Sequence, residues 1–296
     1  ALTILREKIT ALVETTVLRH KTFFLFVLLV IFVPHAAHTQ QSVDLVTRSD
    51  VKFQPLNPLR GDASPKAGVL WGDIKKLVPT GTLIQFRDGF SSPPHIHNIT
   101  YRAVVISGEV HNDDPEAEVM WMGPGSFWVQ PAGEVHITSA KGEMTTAFLE
   151  ILEGPYLVQP SEEAFDNGER PINIEARNVV WLDPSDVSWI AHSGDTQAPE
   201  MAFLWGEMEQ GQRNGTFLRL PAETTGQLDA TGEWLRAVVI QGGISHAQSN
   251  AATGVELEPG SYFGAPGGVT HTLSCDTSHE CLLYITAKGK ITFSTD

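Results

Sequence analysis

Cysteine is scarce. Cys275 and Cys281, in SCDTSHEC, are the only two in 296 residues. No CxxC pair and no zinc-ribbon spacing exists, so a cysteine-ligated zinc module is excluded. Positive charge is also scarce. Twenty Lys and Arg face 35 Asp and Glu, for a net charge of −15. Such a surface repels phosphate backbones and anionic lipid, which excludes a nucleic-acid partner. Helical patterning is missing. No helix of three turns with caps stands out after residue 40, and residues 161–168 could make one turn. Long apolar runs are few as well. Phe23 to Val33 is an unbroken run of 11, short of the ~20 residues that a membrane span needs.

That run has a context of its own. Arg19, His20 and Lys21 precede it, Pro34 breaks it, and HAAHTQQ follows with small residues. This is the order of a secretory signal. Residues 1–39 are therefore expected to be a signal peptide and are set apart from the fold. An exported protein, periplasmic or extracellular, is expected, with no stable membrane span after cleavage. In an oxidising compartment Cys275 and Cys281 could be joined across a hairpin between TLS and LLYITA. They could equally be two small residues flanking a turn.

What is abundant is repetition. LWGD at 70–73 returns as LWGE at 204–207, GTLIQF at 81–86 as GTFLRL at 215–220, and RAVVISG at 102–108 as RAVVIQG at 236–242. Each pair is offset by 134 residues. PGSFWVQPAGEVH at 124–136 returns as PGSYFGAPGGVTH at 259–271, with one residue inserted. A period this long means two similar domains and not a solenoid. The expected units are 40–155, a linker 156–176 that is acidic and turn-rich, and 177–296. Within each, short apolar runs (LIQF, RAVVIS, FWVQP, TAFLEIL, then FLRL, RAVVIQ, LLYITA) alternate with Gly, Pro, Asn and Asp. They read as strands, and the fold class is all-β, a sandwich or small barrel in each half.

The chemistry sits in SSPPHIHNITYRAVVISGEV, 91–110. His95 and His97 are two apart, so on a strand both imidazoles face one way. His136 closes the later block, behind a turn shaped by Gly125, Pro131 and Gly133. Three histidines from neighbouring strands could hold one divalent metal, and neutral imidazole suits Fe, Zn, Cu or Ni.

These two segments resemble the two motifs of the cupin superfamily. Gly89, His95, His97, Tyr101 and Gly108 keep the spacing of the first. Gly125, Pro131, Gly133 and His136 keep that of the second. With the repeat, the chain resembles a bicupin, closest in wording (LWGD, PPHIHN, RAVVISGE) to an uncharacterised bicupin family, a domain of unknown function. The resemblance implies two tandem double-stranded β-helix, or jelly-roll, barrels. The N-terminal one has an intact His-x-His…His metal site at His95, His97 and His136. It departs from the pattern at Tyr101, which stands in the slot of a glutamate ligand. Tyr101 is expected to face inward. It could hydrogen-bond a metal-bound water or substrate, coordinate as a phenolate, or pack in the barrel. Three-histidine sites resemble those of thiol and β-diketone-cleaving dioxygenases, which implies Fe(II), with Zn, Mn, Ni or Cu as alternatives.

The second copy places Asp229, Thr231 and Leu235 opposite His95, His97 and Tyr101, and only His271 matches, opposite His136. It is expected to be degenerate and structural, helping to bury the first or to form a homodimer. Arg102 and Arg236 should face outward and be salt-bridged at an interface. His111 is expected at a solvated turn, and His192, His246 and His279 in loops. The sequons at Asn98 and Asn214 are read as coincidences. The function expected is that of a mononuclear non-haem Fe(II) dioxygenase-like enzyme acting on a small organic substrate, with Tyr101 as its catalytic residue. The alternatives are a Zn-, Mn- or Ni-dependent isomerase or lyase on a sugar or small acid, and a non-enzymatic ligand-binding or sensing cupin.

Overall fold

β-Branched and aromatic runs bounded by glycine turns form strands because their side chains pack well on a pleated, half-buried surface. The computed structural model describes residues 42–194, 196–248, 254–276 and 278–295. The expected signal peptide, 1–39, lies outside the described residues. All seven runs read as strands lie in strands. LIQF is in Thr80–Arg87, RAVVIS in Tyr101–Asp113, FWVQ in Phe127–Gln130 and TAFLEI in Ile137–Ile151. Their counterparts are in Arg213–Leu220, Thr225–Gln241 and Cys281–Thr295. Among the described residues helix is confined to short 3-10 turns, such as Ser161–Glu163 in the stretch expected to make one turn. No helix there is long and apolar enough to cross a membrane.

The strands form two large sheets, almost wholly antiparallel, and the sequence repeat becomes a repeat of pairing. In the first sheet the order runs Lys66–Trp71, Thr80–Arg87, Ile137–Ile151, Tyr101–Asp113, Phe127–Gln130. In the second it runs Glu200–Gly206, Arg213–Leu220, Cys281–Thr295, Thr225–Gln241, Tyr262–Pro266. Register is kept too. Ala67 faces Ile84 as Met201 faces Leu218, and Val104 faces Phe148 as Val238 faces Tyr284.

Period-two alternation divides the buried side chains into three apolar clusters. Tyr101, Ala103 and Val105 point to a cluster inside the first sheet, with Phe86, Trp128 and Leu149. A second cluster, with Leu235, Ala237, Val239, Phe263 and Leu283, lies inside the second sheet. The alternate residues Val104 and Ile106 meet Val238, Ile240 and Tyr284 in a third cluster that joins the two halves.

Arg102 and Arg236 turn toward that joint, as the alternation requires, but not to ion pairs. Among the described residues neither is in a salt bridge. The Arg102 guanidinium lies 4.1 Å over the Trp205 ring, and Arg236 lies 5.2 Å over Trp71. Each arginine thus rests on the LWG tryptophan of the other half, because the same sequence block recurs on both sides of one interface. A planar, weakly hydrated guanidinium suits such a stack. Glu150, buried with them, receives the Tyr284 hydroxyl at 2.9 Å. That hydroxyl accepts from Trp205 Nε1 at 2.9 Å. Phe148 stands at the matching position of the first half, and the matching Trp71 Nε1 is buried without a partner.

Cys275 and Cys281 are joined in a disulfide. Two histidine expectations are corrected. His111 is 3% exposed and sits mid-strand opposite Ser139, because register shifts around Gly108 let that strand continue where a turn was expected. His246 is buried on the strand Ile244–Gln248, its Nε2 2.9 Å from His271 Nδ1. Asn214, the acceptor of one sequon, is fully buried and donates to the Gly289 carbonyl.

Candidate metal centre

Pro93 and Pro94 lead into the short strand His95–His97. That strand is paired on both sides. On one side His95 and His136 exchange backbone hydrogen bonds, N to O, at 3.1 and 3.0 Å. On the other, Val158–Pro160 runs antiparallel, with Val158 opposite His97 and Pro160 opposite His95. Gly133 shapes the turn before His136, at φ +77. Its N–H donates to the His97 carbonyl at 2.8 Å, and a Cβ there would lie 2.3 Å from the Phe165 carbonyl oxygen. Only glycine fits that approach.

The three imidazoles converge. Ring centroids are 4.3 to 5.1 Å apart, and one ring nitrogen of each lies within 4.8 Å of the other two. Every Nδ1 meets a carbonyl oxygen: His95 that of Pro93 at 2.9 Å, His97 that of Leu157 at 2.9 Å, His136 that of Glu134 at 3.1 Å. A carbonyl only accepts, so each Nδ1 carries the proton and each Nε2 keeps a lone pair. Carbonyl-anchored imidazole is the usual support of a metal ligand.

Burial keeps the rings neutral. Desolvation pushes His97 well below the ordinary histidine range, with His136 and His95 adding to it. It takes His136 down to about 3 and lowers His95 against the opposing pull of the Pro93 carbonyl. His136 Nε2 is buried and has no hydrogen-bond partner. An orphaned buried acceptor costs about 1–3 kcal/mol, so its retention fits a cation that uses it. The donor set, three neutral nitrogens, fits a divalent transition metal.

A pH dependence follows for the metal-free protein. A histidine held neutral in the fold and free to protonate when unfolded contributes no penalty above pH ~6.5 and an increasing one below it. The folded value of His136 is about 3, so its loss of stability runs from about pH 6.5 down to that value. The slope is ~1.4 kcal/mol per pH unit. His246 and His271, each at about 4 through burial, add to the same fall. Urea melts of chelator-treated protein at pH 7.5, 6 and 5 are expected to show midpoints falling with pH. Equal midpoints would contradict neutral burial.

Tyr101 faces inward as expected, 2% exposed, its ring edge-on to His97 at 5.2 Å. Its hydroxyl points elsewhere. It donates to Asn112 Oδ1 at 3.0 Å and receives Trp128 Nε1 at 3.4 Å. Thr138 and Gln130 fix that asparagine in turn. Burial raises the Tyr101 phenol well above its usual range.

Sequence reasoning missed Tyr156. It lies in the turn-rich stretch after the first half, which the structure wraps over the histidines as a strap. Its ring stacks on His97 at 4.3 Å and 24°, and its hydroxyl is 3.1 Å from His97 Nε2. Both nitrogens of His97 are thus met by consecutive strap residues, Tyr156 and Leu157. Asn98 clasps the strap on either side of the tyrosine. Its Nδ2 donates to the Pro155 carbonyl at 2.9 Å, and its Oδ1 accepts from Leu157 N–H at 2.8 Å.

In the second half His271 is bonded by His246, and its Nε2 is buried without a partner. The places of His95 and His97 fall to Leu228, which pairs with His271, and to Ala230, whose carbonyl receives Gly268 N–H. The expected Asp229 and Thr231 lie one residue further on, Asp229 receiving Thr270 Oγ1.

A family profile covers nearly all of this fold, residues 44–294. The chain belongs to the DUF4437 family, a domain of unknown function. No curated protein matches it. Solved structures share its fold at low identity. A dioxygenase candidate from Nostoc punctiforme is 12% identical with a TM-score of 0.61, and 84% of each chain is covered. The Escherichia coli protein YlbA, of family DUF861, is 13% identical with a TM-score of 0.54, over 84% of this chain and 92% of that one. An oxalate decarboxylase from Lactobacillus farciminis, in complex with formate, is 10% identical at 0.53, over 83% and 86%. These likenesses place this DUF4437 member in the all-β cupin, or jelly-roll, fold.

Proposed function

We propose that this DUF4437 protein is an exported bicupin and a mononuclear non-haem Fe(II) dioxygenase-like enzyme acting on a small organic substrate. The observation that carries the reading is the convergence of three neutral imidazoles, each fixed through Nδ1 by a carbonyl, with one Nε2 buried and unpartnered. His95, His97 and His136 would hold the metal. Bound there, Fe(II) would supply Lewis acidity and one-electron chemistry toward substrate and oxygen. The protein's own part is positional. The Pro93, Leu157 and Glu134 carbonyls orient the rings, and His95 is the least buried of the three. Tyr101 braces His97 edge-on, and for its hydroxyl to hold substrate it would have to give up Asn112. The recurring strand order supports the two-barrel reading, and the disulfide fits an oxidising compartment.

The test is oxygen consumption. Protein loaded anaerobically with Fe(II) is given β-diketones, thiols and catechols in an oxygen electrode. Substrate-dependent uptake, lost in His95→Ala, is expected. Metal-replete protein that consumes no oxygen across the panel would refute the dioxygenase reading in favour of an isomerase, lyase or binding role.

A further inference from the structure

The motif's carboxylate ligand has no counterpart on the central strand. Tyr101 holds its place, and its hydroxyl is spent on Asn112 and Trp128. The polar group that does reach the histidines comes from another element. The Tyr156 hydroxyl makes one hydrogen bond among the described residues, to His97 Nε2. That is the nitrogen whose lone pair a metal needs. A cation bound to it would lie about 2.1 Å away in the plane of the imidazole, and the phenol oxygen stands 3.1 Å from the same nitrogen, its ring stacked over that plane. The phenol oxygen is thus within reach of a cation held by that nitrogen, and its strap is pinned there. The ring is stacked on His97, Tyr156 N–H is bonded to the Ile74 carbonyl at 2.9 Å, and Asn98 clasps both neighbouring residues.

We propose that Tyr156 is the fourth protein donor of the three-histidine centre, supplied by the strap in place of the glutamate of the central strand. This rests on the three histidines holding a metal. On binding, the Tyr156 O–H bond breaks and its proton goes to solvent. The hydrogen bond to His97 is lost, and the phenolate oxygen and His97 Nε2 each donate to the ion. No electron is transferred. The donor set becomes three neutral nitrogens and one anionic oxygen, with the same net charge that a carboxylate would contribute.

Fe(III) bound to a phenolate absorbs in the visible, whereas Fe(III) bound only by imidazole and water does not give that band. Full-length protein is loaded with Fe(II), oxidised with ferricyanide and desalted. Its iron content is then measured beside its spectrum, with the same treatment applied to Tyr156→Phe and Tyr101→Phe. Phenylalanine keeps the stack, and thermal melts check each fold. Expected is a visible band in the wild type, kept in Tyr101→Phe and abolished in Tyr156→Phe, which still retains iron. Stoichiometric iron with no band in the wild type would overturn the assignment and leave the metal site standing. A band lost in Tyr101→Phe and kept in Tyr156→Phe would also overturn it, naming the other tyrosine. Wild type holding no more iron than His95→Ala would overturn the metal site itself, and Tyr156 with it.

Discussion

A His136→Leu variant is expected to lose stoichiometric metal while folding at least as well as the metal-free wild type. The two halves of that result have different causes. Outer partners that merely orient a ligand are worth about 10–100-fold in metal affinity. Removing a ligand outright should exceed ~100-fold. Stability runs the other way. His136 is 1% exposed, its Nε2 has no partner, and burial holds it far below its ordinary range. Without a cation the side chain is an unsatisfied polar group that the fold tolerates at a cost of about 1–3 kcal/mol. Leucine fills similar space without it. Added metal should stabilise the wild type by about 2.7 kcal/mol at 100 times the dissociation constant and leave the variant unmoved. Elemental analysis and melts with and without metal check both halves. A variant that keeps wild-type metal content would remove His136 from the centre.

The second large effect is expected far from the histidines. Tyr284 is 1% exposed and touches Phe127, Phe148 and Phe217. Its hydroxyl links Trp205 to the buried Glu150. Tyr284→Ala should cost about 3–5 kcal/mol through the cavity alone, or a fall in melting temperature of roughly 10 °C for a domain of this size. Tyr284→Phe keeps the packing and removes the hydroxyl that joins Trp205 Nε1 to Glu150, so about 1–3 kcal/mol is expected. The joint cluster draws on both halves, so both variants should melt in one cooperative transition at a lower temperature. Calorimetry that resolves two transitions would show that the halves are stabilised separately.

The three histidines and the strands were legible because their signals are local. His95 and His97 share a face by parity, His136 ends a block of turn residues, and the short apolar run RAVVIS marks the strand Tyr101–Asp113. Even the joint left a trace, since Arg102 follows the inward-facing Tyr101 and must point the other way. That its partner is a tryptophan of the other half was not legible, because nothing in LWGE announces a stack with residue 102. Tyr156 escaped for a related reason. It lies in an acidic, turn-rich stretch without periodicity, and its contact with His97 spans 59 residues. His111 was misplaced because a register shift is a property of two strands, and one strand's sequence does not carry it.

The crossed arginine–tryptophan contacts set the terms on which the two copies can drift apart. Each half presents the same Arg and Trp to the other, so a substitution in either block is felt on both sides of the joint at once. The interior of a sheet has no such obligation. The second copy can carry Leu228 and Ala230 where the first carries His95 and His97 without disturbing its neighbour, whereas its LWGE and RAVVIQ blocks answer to the first copy's packing. Packing across the joint and the chemistry of the interior are thereby uncoupled: the residues that must match between the halves are not the ones that line the metal centre.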